Sequence, residues 1–307
     1  MMASKVDWAA YDRSLIQRGS ITFWLCDDVM EAWYAKPNGK RGRQDTYSDI
    51  AIETALTLRS VFGQGLRQTE GLLISLFQLM SIDLDAPDHT TLSRRSSVLD
   101  ISIAKTLKSN ESITIAVDST GLKIFGSGEW CETKHGLRKR RQWRKLHITL
   151  NTSTLEVVEA TLTENSVGDS TEAKNHLKAI ENEIDEMLAD GAYDCQEICN
   201  SIEEDGGLVT IPPPINAVVS NNFSTTPTQR DEHVTYINQH GRPAWEVKNH
   251  YSRRLLAENF MGRFKGIIGS KMRSRHIESQ KVEAMIGCSI LNRMTALGTP
   301  TKPAKAA

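Results

Sequence analysis

Three acidic residues lie where a carboxylate can take part in catalysis. Asp118 ends a predicted strand, SITIAVDS, and Asp190 ends another, EMLAD. If the two strands are neighbours in one sheet, both carboxylates lie at the same edge of that sheet. Either aspartate alone is more simply explained as a turn or cap residue. Glu258, on a predicted helix, supplies the third carboxylate.

The helix predicted around Glu258 presents residues suited to binding phosphate. Tyr251, Arg254 and Lys265 lie at offsets of −7, −4 and +7 from Glu258. At about 100° per residue, these positions all fall within about 40° of one direction. A solvated face with i,i+4 ion pairs is the simpler alternative. However, residues 248–275 contain eight Lys or Arg and no acid other than Glu258, a pattern that a face stabilised by ion pairs would not show.

The spacing of these residues resembles that of a known family. Tyr251, Arg254, Glu258 and Lys265 are separated by two, three and six residues, which is similar to the Y-R-E-K signature of the DDE transposases of bacterial insertion sequences. The segments VDSTGLKIFGSGEW and LADGAYD, which carry the two aspartates, resemble the same family. So do RRQWRKLHITL and the N-terminal RGRQDTYSDIAIETALTLRSVFGQGLRQTEGLL. The resemblance extends over nearly the whole chain.

The resemblance implies a DNA transposase with a ribonuclease-H-like catalytic domain. In this family Asp118, Asp190 and Glu258 would hold two divalent metal ions, Mg²⁺ or Mn²⁺. Hard cations prefer oxygen ligands, and two ions about 4 Å apart can activate a nucleophile and neutralise the leaving oxygen. Arg254 and Lys265 would bind phosphates beside the cut, and the tyrosine of the signature would position the DNA backbone.

The same resemblance implies the partners of the protein. The transposase would bind the terminal inverted repeats of its element, hydrolyse the DNA and join the free 3′-hydroxyl ends to target DNA. It would act as a homo-oligomer in a synaptic complex.

A second basic stretch, from Lys134 to Lys145, contains seven Lys or Arg and no acid. A basic stretch with an aromatic residue can follow a DNA backbone and stack on a base, whereas a solvated loop is the alternative. The candidate DNA contacts in this stretch are Arg140, Arg141, Trp143, Arg144 and Lys145. Trp245 is a further candidate for stacking on a base, although a buried tryptophan is the more common case.

The elements that must position the acids predict an α/β domain over residues 109–297. SITIAVDS and GLKIF are predicted as two successive strands, and LHITL and VVEATLT as a hairpin. A helix, the strand EMLAD, an inserted irregular or β segment over 206–250, and the helix around Glu258 follow. This order predicts a ribonuclease-H-like mixed sheet with flanking helices and an insertion before the last catalytic helix.

Residues 1–108 are predicted to form a mainly helical DNA-binding domain. Asp49 and Asp88 are candidate caps for the helices IAIETALTLRSVF and HTTLSRRSSVL, with LRQTEGLLISLFQLM between them. Arg94 and Arg95 on the last helix favour a helix-turn-helix-like contact with DNA. A small helical bundle with a solvated basic end is the alternative. Residues 298–307 are predicted to be a disordered tail.

The composition is typical of a globular protein that does not enter a membrane. Of 307 residues, 39% are hydrophobic and 24% are charged, and the net charge is −1. No apolar run reaches the length of about 18 residues that a membrane-spanning helix needs, and the N-terminus lacks the apolar core of a signal peptide. Five cysteines at irregular spacing favour reduced thiols. We therefore expect a cytoplasmic protein associated with the bacterial nucleoid.

Two other functions fit parts of the sequence. A metal-dependent nuclease of the same fold would use the same three acids without strand transfer. A DNA-binding relative without catalysis would lack one of the acids, and all three are present. The helical N-terminal segment favours transposition over the nuclease.

Overall fold

The computed structural model describes residues 7–37, 39, 41–42, 44–101, 103, 111–124, 143–220 and 228–298. The chain divides into two compact units. One comprises the described residues up to 101 together with 274–298, and the other comprises the described residues between 103 and 273. The sequence placed the last helix in the catalytic domain, but its packing places it in the first unit.

The first unit begins with six helices, α1 (Trp8–Gln17), α2 (Ile21–Trp24), α3 (Asp27–Glu31), α4 (Asp49–Val61), α5 (Leu66–Leu79) and α6 (His89–Arg95). Asp88 caps α6 as predicted, because its carboxylate accepts hydrogen bonds from the amides of Thr90 and Thr91 at 2.9 Å. Asp49 does not cap α4. The cap is Ser48, whose hydroxyl accepts a hydrogen bond from the Ala51 amide at 3.1 Å.

The second unit is built on a mixed sheet. Its elements begin with β1 (Ile113–Ile124), β2 (Trp143–Asn151), β3 (Val157–Glu164), α7 (Asp169–Ala179), β4 (Ile184–Leu188), α8 (Gln196–Glu204) and β5 (Leu208–Thr210). The strand order is β3-β2-β1-β4-β5, with β1, β2 and β3 antiparallel and β4 and β5 parallel to β1. Three antiparallel strands continued by parallel strands, with helices on the faces, form the ribonuclease-H-like arrangement. The prediction of this fold is confirmed.

Strand β1 is longer than predicted. It is continuous through Gly121, because β2 pairs with it from Ile115 to Lys123. SITIAVDS and GLKIF are therefore one strand, and Asp118 lies in its middle and not at its end. The neighbouring strand β4 is parallel to β1 and stops at Leu188, two residues before Asp190.

One face of β1 lies on a hydrophobic core. Ile113, Ile115 and Val117 belong to a buried cluster that includes Ala173 of α7 and Ile198 of α8. Side chains alternate between the two faces of a strand, so Asp118 lies on the opposite face from Val117.

The segment over 206–250 is not an irregular insertion. Its N-terminal part is β5, which extends the sheet, and its later part forms α9 (Gln229–His240) and α10 (Arg242–Lys248). Thr228 caps α9, and Gly241 separates the two helices at a φ of 84° that suits glycine. The polar and turn-forming residues that suggested an irregular segment therefore mark the ends of helices.

The C-terminal elements are a 3₁₀ turn (Tyr251–Arg254), α11 (Leu255–Ile267), β6 (Lys271–Met272) and α12 (Ile277–Leu297). Helix α11 packs on β1 and β2, and β6 pairs with the end of β1. Helix α12 packs on α4 in the first unit, which its apolar periodicity could not indicate because periodicity does not identify the packing partner. Within the described part of the chain, no helix has the length and apolar character needed to cross a membrane.

Candidate active site

Asp118 is partly buried in the middle of β1, and its electrostatic surroundings are unusual. Its Oδ1 accepts a hydrogen bond from the Ser119 amide at 2.8 Å. Burial raises the pKa of Asp118, and the charges of Asp190 and Glu258 raise it further, whereas the Ser119 amide and Arg254 oppose the rise. The shift identifies Asp190, Arg254 and Glu258 as charged groups that act on this carboxylate. Three acids from three separate elements therefore share one site.

Asp190 is held in place by the turn that it begins. Its carboxylate accepts a hydrogen bond from the Ala192 amide at 2.8 Å and caps the 3₁₀ turn Gly191–Tyr193. Because β1 and β4 are parallel neighbours, the turn after β4 brings Asp190 close to Asp118. The two strands are neighbours, as the sequence indicated, although only Asp190 follows the end of its strand.

Glu258 lies in the first turn of α11 and forms an ion pair with Arg254, four residues before it. The Glu258 side chain is 46% exposed and the Arg254 side chain is 17% exposed. Arg254 also acts on Asp118. The guanidinium is thus a cation that acts on both Glu258 and Asp118.

Tyr251 connects the segments that carry two of the acids. Its buried hydroxyl donates a hydrogen bond to the carbonyl of Ala189, the residue before Asp190, at 3.2 Å. The Arg254 guanidinium lies 5.6 Å from the centre of the Tyr251 ring. Tyr251 and Arg254 both belong to the 3₁₀ turn that precedes α11, so only Glu258 and Lys265 of the predicted single helical face lie on the helix itself. Its role in this structure is to hold the Asp190 segment beside α11.

Lys265 lies on α11, seven residues after Glu258, and its side chain is exposed. At a rise of about 1.5 Å per residue it lies about 10 Å along the helix from Glu258. Lys265 therefore lies about two helical turns from Glu258.

A cavity of about 750 Å³ opens beside Asp190 and Arg254. Sequence reasoning did not predict two basic residues that line it, Arg242 and His250. His250 has a φ of 48°, in the left-handed region that non-glycine residues rarely adopt. Of the two, His250 lies in the basic segment 248–275 and Arg242 lies before it. The remaining lining residues are Pro243, Glu246, Val247, Tyr251, Ser252 and Leu255.

The three carboxylates suit a hard divalent cation by their chemistry. Carboxylate oxygens are the ligands that Mg²⁺ prefers, and the mutual repulsion that raises the pKa of Asp118 would be relieved by a cation. Among the described residues, no three His, Cys, Asp or Glu side chains already stand together as a ligand set. The fit to a metal ion therefore rests on the chemistry of the three carboxylates.

Comparison with known families decides the class of the protein. A family model described as "Transposase DDE domain" matches residues 109–293, which is more than half of the chain, and a second model with the same description matches residues 16–127. The chain belongs to the DDE transposase family. The inference drawn from the three acids and their neighbours is therefore confirmed at the level of the family.

Two solved transposase structures are distantly similar to this transposase. The piggyBac transposase synaptic complex with hairpin DNA shares 10% identity over 94% of this chain and 77% of that chain, with a TM-score of 0.37. The Drosophila P element transposase strand transfer complex shares 13% identity over 97% of this chain and 68% of that chain, with a TM-score of 0.33.

The basic residues at the start of β2 are engaged within the transposase itself. Lys145 donates hydrogen bonds to the carbonyl of Val167 at 3.0 Å and to the carboxylate of Asp169 at 3.3 Å. The Arg144 guanidinium lies 3.8 Å from Glu164, and its side chain is 15% exposed. The sequence predicted a stretch that contacts DNA, with a solvated loop as the alternative. In the structure, pairing of β2 with β3 brings acids beside both cations, so the stretch is not simply solvated.

The remaining aromatic and basic residues that were predicted to contact DNA differ in how exposed they are. Trp143 is partly exposed, and Lys123 lies 5.7 Å from the centre of its ring. Arg140 and Arg141 lie outside the described residues. Trp245 is fully buried and donates a hydrogen bond to His233 Nδ1 at 3.0 Å. It is therefore a core residue and not a surface for stacking on a base.

Arg94 and Arg95 of the transposase have opposite surroundings on α6. Arg94 is exposed. Arg95 is buried, forms ion pairs with Asp45 and Asp49, and donates a hydrogen bond to the carbonyl of Tyr47 at 3.0 Å. Arg95 thus joins α6 to α4, and only Arg94 of the pair is available to DNA.

Proposed function

We propose that this protein is the transposase of a bacterial insertion sequence. It binds the ends of its element, hydrolyses the DNA there and joins the 3′-hydroxyl ends to target DNA. The observation that carries the proposal is the effect of Asp190, Glu258 and Arg254 on the pKa of Asp118. Acids from a strand, a turn and a helix share one site beside a cation, which is a costly arrangement unless a bound ion and DNA use it.

The proposed catalytic site holds two divalent ions, Mg²⁺ or Mn²⁺. Bound ions would supply the charge that activates the attacking oxygen and neutralises the leaving oxygen. Asp118, Asp190 and Glu258 would hold the ions. Arg254, once released from Glu258, binds the phosphate beside the cut, because its planar fork matches two phosphate oxygens.

The basic residues outside the acid cluster bind the DNA backbone. Lys265 is exposed on the helix that carries Glu258 and reaches a phosphate further along the strand. Tyr251 and Arg254 fix the end of that helix beside Asp190. Arg94 contributes from α6 to the recognition of the element ends. A homo-oligomer that pairs two ends, acting at the nucleoid in the cytoplasm, completes the proposal.

The test is a strand-transfer assay. The protein is incubated with DNA duplexes carrying the terminal repeats from its own genomic locus, a target plasmid and Mg²⁺. We expect 3′-end cleavage and joined products with Mg²⁺ or Mn²⁺, and neither with EDTA. Cleavage without joining would assign the nuclease function instead. Binding of the ends without cleavage would assign a non-catalytic role.

A further inference from the structure

A buried tyrosine lies directly beneath the acid site. Tyr193 ends the 3₁₀ turn that Asp190 caps, three residues after Asp190. Its side chain is 2% exposed and packs in the core cluster with Ile115 and Val117 of β1. Its hydroxyl makes no hydrogen bond of normal geometry with any of the described residues. A buried donor without an acceptor is costly and calls for an explanation.

Polar groups surround this hydroxyl from three elements. Ser119 lies on β1 directly opposite His147 of β2. The Asp169 carboxylate, at the start of α7, is held by Lys145 at 3.3 Å and lies 3.5 Å from His147 Nδ1, which is also buried without a partner.

The ionisation of Tyr193 reflects these surroundings. Burial raises the pKa of Tyr193, the charges of Asp169, Asp118 and Asp190 raise it further, and the nearby Ser119 hydroxyl opposes the rise. The phenol therefore remains protonated and keeps a proton to donate.

The position of Tyr193 links the segments that carry two of the acids. Tyr193 moves with Asp190, because both belong to one short turn, and Ser119 moves with Asp118, its neighbour on β1. The like charges of Asp118 and Asp190 oppose a close approach of the turn to the strand. A cation shared by the two carboxylates removes that repulsion and lets the turn approach the strand.

We propose that Tyr193 is a positioning residue for the Asp118–Asp190 pair. Its hydroxyl donates a hydrogen bond to Ser119 Oγ when the two acids bind a divalent ion, and this bond fixes the separation of the carboxylates. This proposal rests on the proposed metal-dependent function. It assigns to Tyr193 a contact with Ser119 that holds the Asp190 turn against the strand that carries Asp118.

The test compares Tyr193→Phe with the wild-type protein in the absence of DNA. The affinity for Mn²⁺ alone is measured from the electron paramagnetic resonance signal of free Mn²⁺, and the Tm is measured without metal. We expect Mn²⁺ binding about tenfold weaker in Tyr193→Phe, as for other residues that orient metal ligands. We expect the metal-free Tm to be equal or higher, because the change removes an unsatisfied hydroxyl from the core. Unchanged Mn²⁺ affinity would overturn the proposal.

Two further variants complete the experiment. Tyr236→Phe, on α9 in the same unit, makes the same chemical change at a half-buried position and should leave Mn²⁺ affinity unchanged. If Tyr193→Phe does not fold, Ser119→Ala removes the acceptor and should weaken Mn²⁺ binding by about tenfold as well. Wild-type affinity in Ser119→Ala would then contradict the proposal. Failure of the proposed function is recognised separately, by the absence of Mg²⁺-dependent cleavage in the wild-type protein.

Discussion

At the scale of single residues, Asp118 is a group whose charge is disfavoured by its surroundings. Burial and two neighbouring carboxylates disfavour its ionised form, and Arg254 and one amide only partly compensate. Residues that bind metal ions often carry such a cost, because the protein without the ion leaves them without a full set of partners. The cost is measurable as a dependence of stability on pH.

The first prediction concerns the stability of Asp118→Asn. The folded pKa of Asp118 is above its unfolded value, so the folded state binds more protons than the unfolded state between these two values. The carboxyl therefore destabilises the fold progressively as pH rises through this window. Without metal, Asp118→Asn should have a higher Tm than the wild type at pH 7. The difference should disappear at about pH 3.5 or below, where the Asp118 carboxyl becomes protonated in both the folded and the unfolded state. A lower Tm for Asp118→Asn at pH 7 would contradict this assignment.

The second prediction separates the roles of Arg254 and Lys265. Arg254→Lys keeps the charge and loses the planar fork, so DNA cleavage should fall by about 100-fold while DNA binding changes little. Lys265→Ala should weaken binding to all end sequences alike, and the slope of log affinity against log salt should fall by about one unit. Lys178→Ala, on α7, is the matched control for loss of a lysine charge. If Arg254 served only as an i,i+4 partner of Glu258, Arg254→Lys would cleave almost normally.

At the scale of the elements, two neighbouring arginines on α6 show why sequence assigned one function to residues with different roles. Both lie in the last turn of the same helix. The helical rotation of about 100° per residue turns Arg95 towards α4 and Arg94 towards solvent. Their exposure could be found only from the packing of α6 against α4.

The third prediction uses this pair. Arg95→Ala should lower the free energy of unfolding by about 1–3 kcal/mol, because it removes hydrogen bonds between a charged group and both Asp49 and the Tyr47 carbonyl. Arg94→Ala should leave the free energy of unfolding unchanged and weaken binding of the element ends. Urea denaturation and DNA binding at constant salt measure the two effects. The reverse pattern, with Arg94→Ala destabilised and Arg95→Ala impaired only in binding, would exclude this division of roles.

Two buried histidines give the sheet a distinct response to acid. His176 of α7 forms hydrogen bonds to Thr149 and Thr161, both at 2.9 Å, and joins the helix to β2 and β3. Burial lowers the pKa of His147 to about 4 and the pKa of His176 to about 4. Both are therefore neutral in the folded protein at neutral pH.

The fourth prediction follows from these two groups. Each histidine binds a proton more readily in the unfolded state, so each contributes stability above about pH 6.5 that is lost as pH falls towards 4. The expected slope is about 1.4 kcal/mol per pH unit for each histidine within this window. His176→Gln should roughly halve the slope in urea denaturation measured at several pH values. An unchanged slope would show that His176 does not titrate in this way.

At the scale of the whole molecule, the sequence predicted the order of the sheet well and the boundaries of its parts poorly. The alternating hairpin β2–β3 and the helix around Glu258 were visible because local periodicity determines them. Asp118 was placed at a strand end, because periodicity alone does not show that β2 pairs with β1 as far as Lys123. Helices α9 and α10 were missed because Thr228, Gly241 and Pro243, which begin and cap them, are also residues of loops.

The candidate site could be predicted further than the fold could, since residue type and spacing identify acids and cations directly. The charges of Asp190 and Glu258 act on Asp118, and the binding of metal by the three acids stays a prediction. The contribution of Tyr193 could not be predicted, because a buried hydroxyl without a partner is a property of the packed structure. For the same reason the sequence could not show that Lys145 is engaged with Asp169.

The most direct test of the catalytic assignment is DNA cleavage by variants that replace each acid with its isosteric amide. Asp118→Asn, Asp190→Asn and Glu258→Gln each remove one anionic ligand with little change in volume, whereas Asp205→Asn makes the same change at an exposed position on the end of α8. Cleavage of a DNA duplex carrying the element end is measured in Mg²⁺, with circular dichroism to verify folding. The account predicts that the three site variants fold and do not cleave, and that Asp205→Asn cleaves like the wild type. Near-normal cleavage by a folded Asp118→Asn, Asp190→Asn or Glu258→Gln would contradict the assignment of that residue, and near-normal cleavage by all three would refute the proposed site.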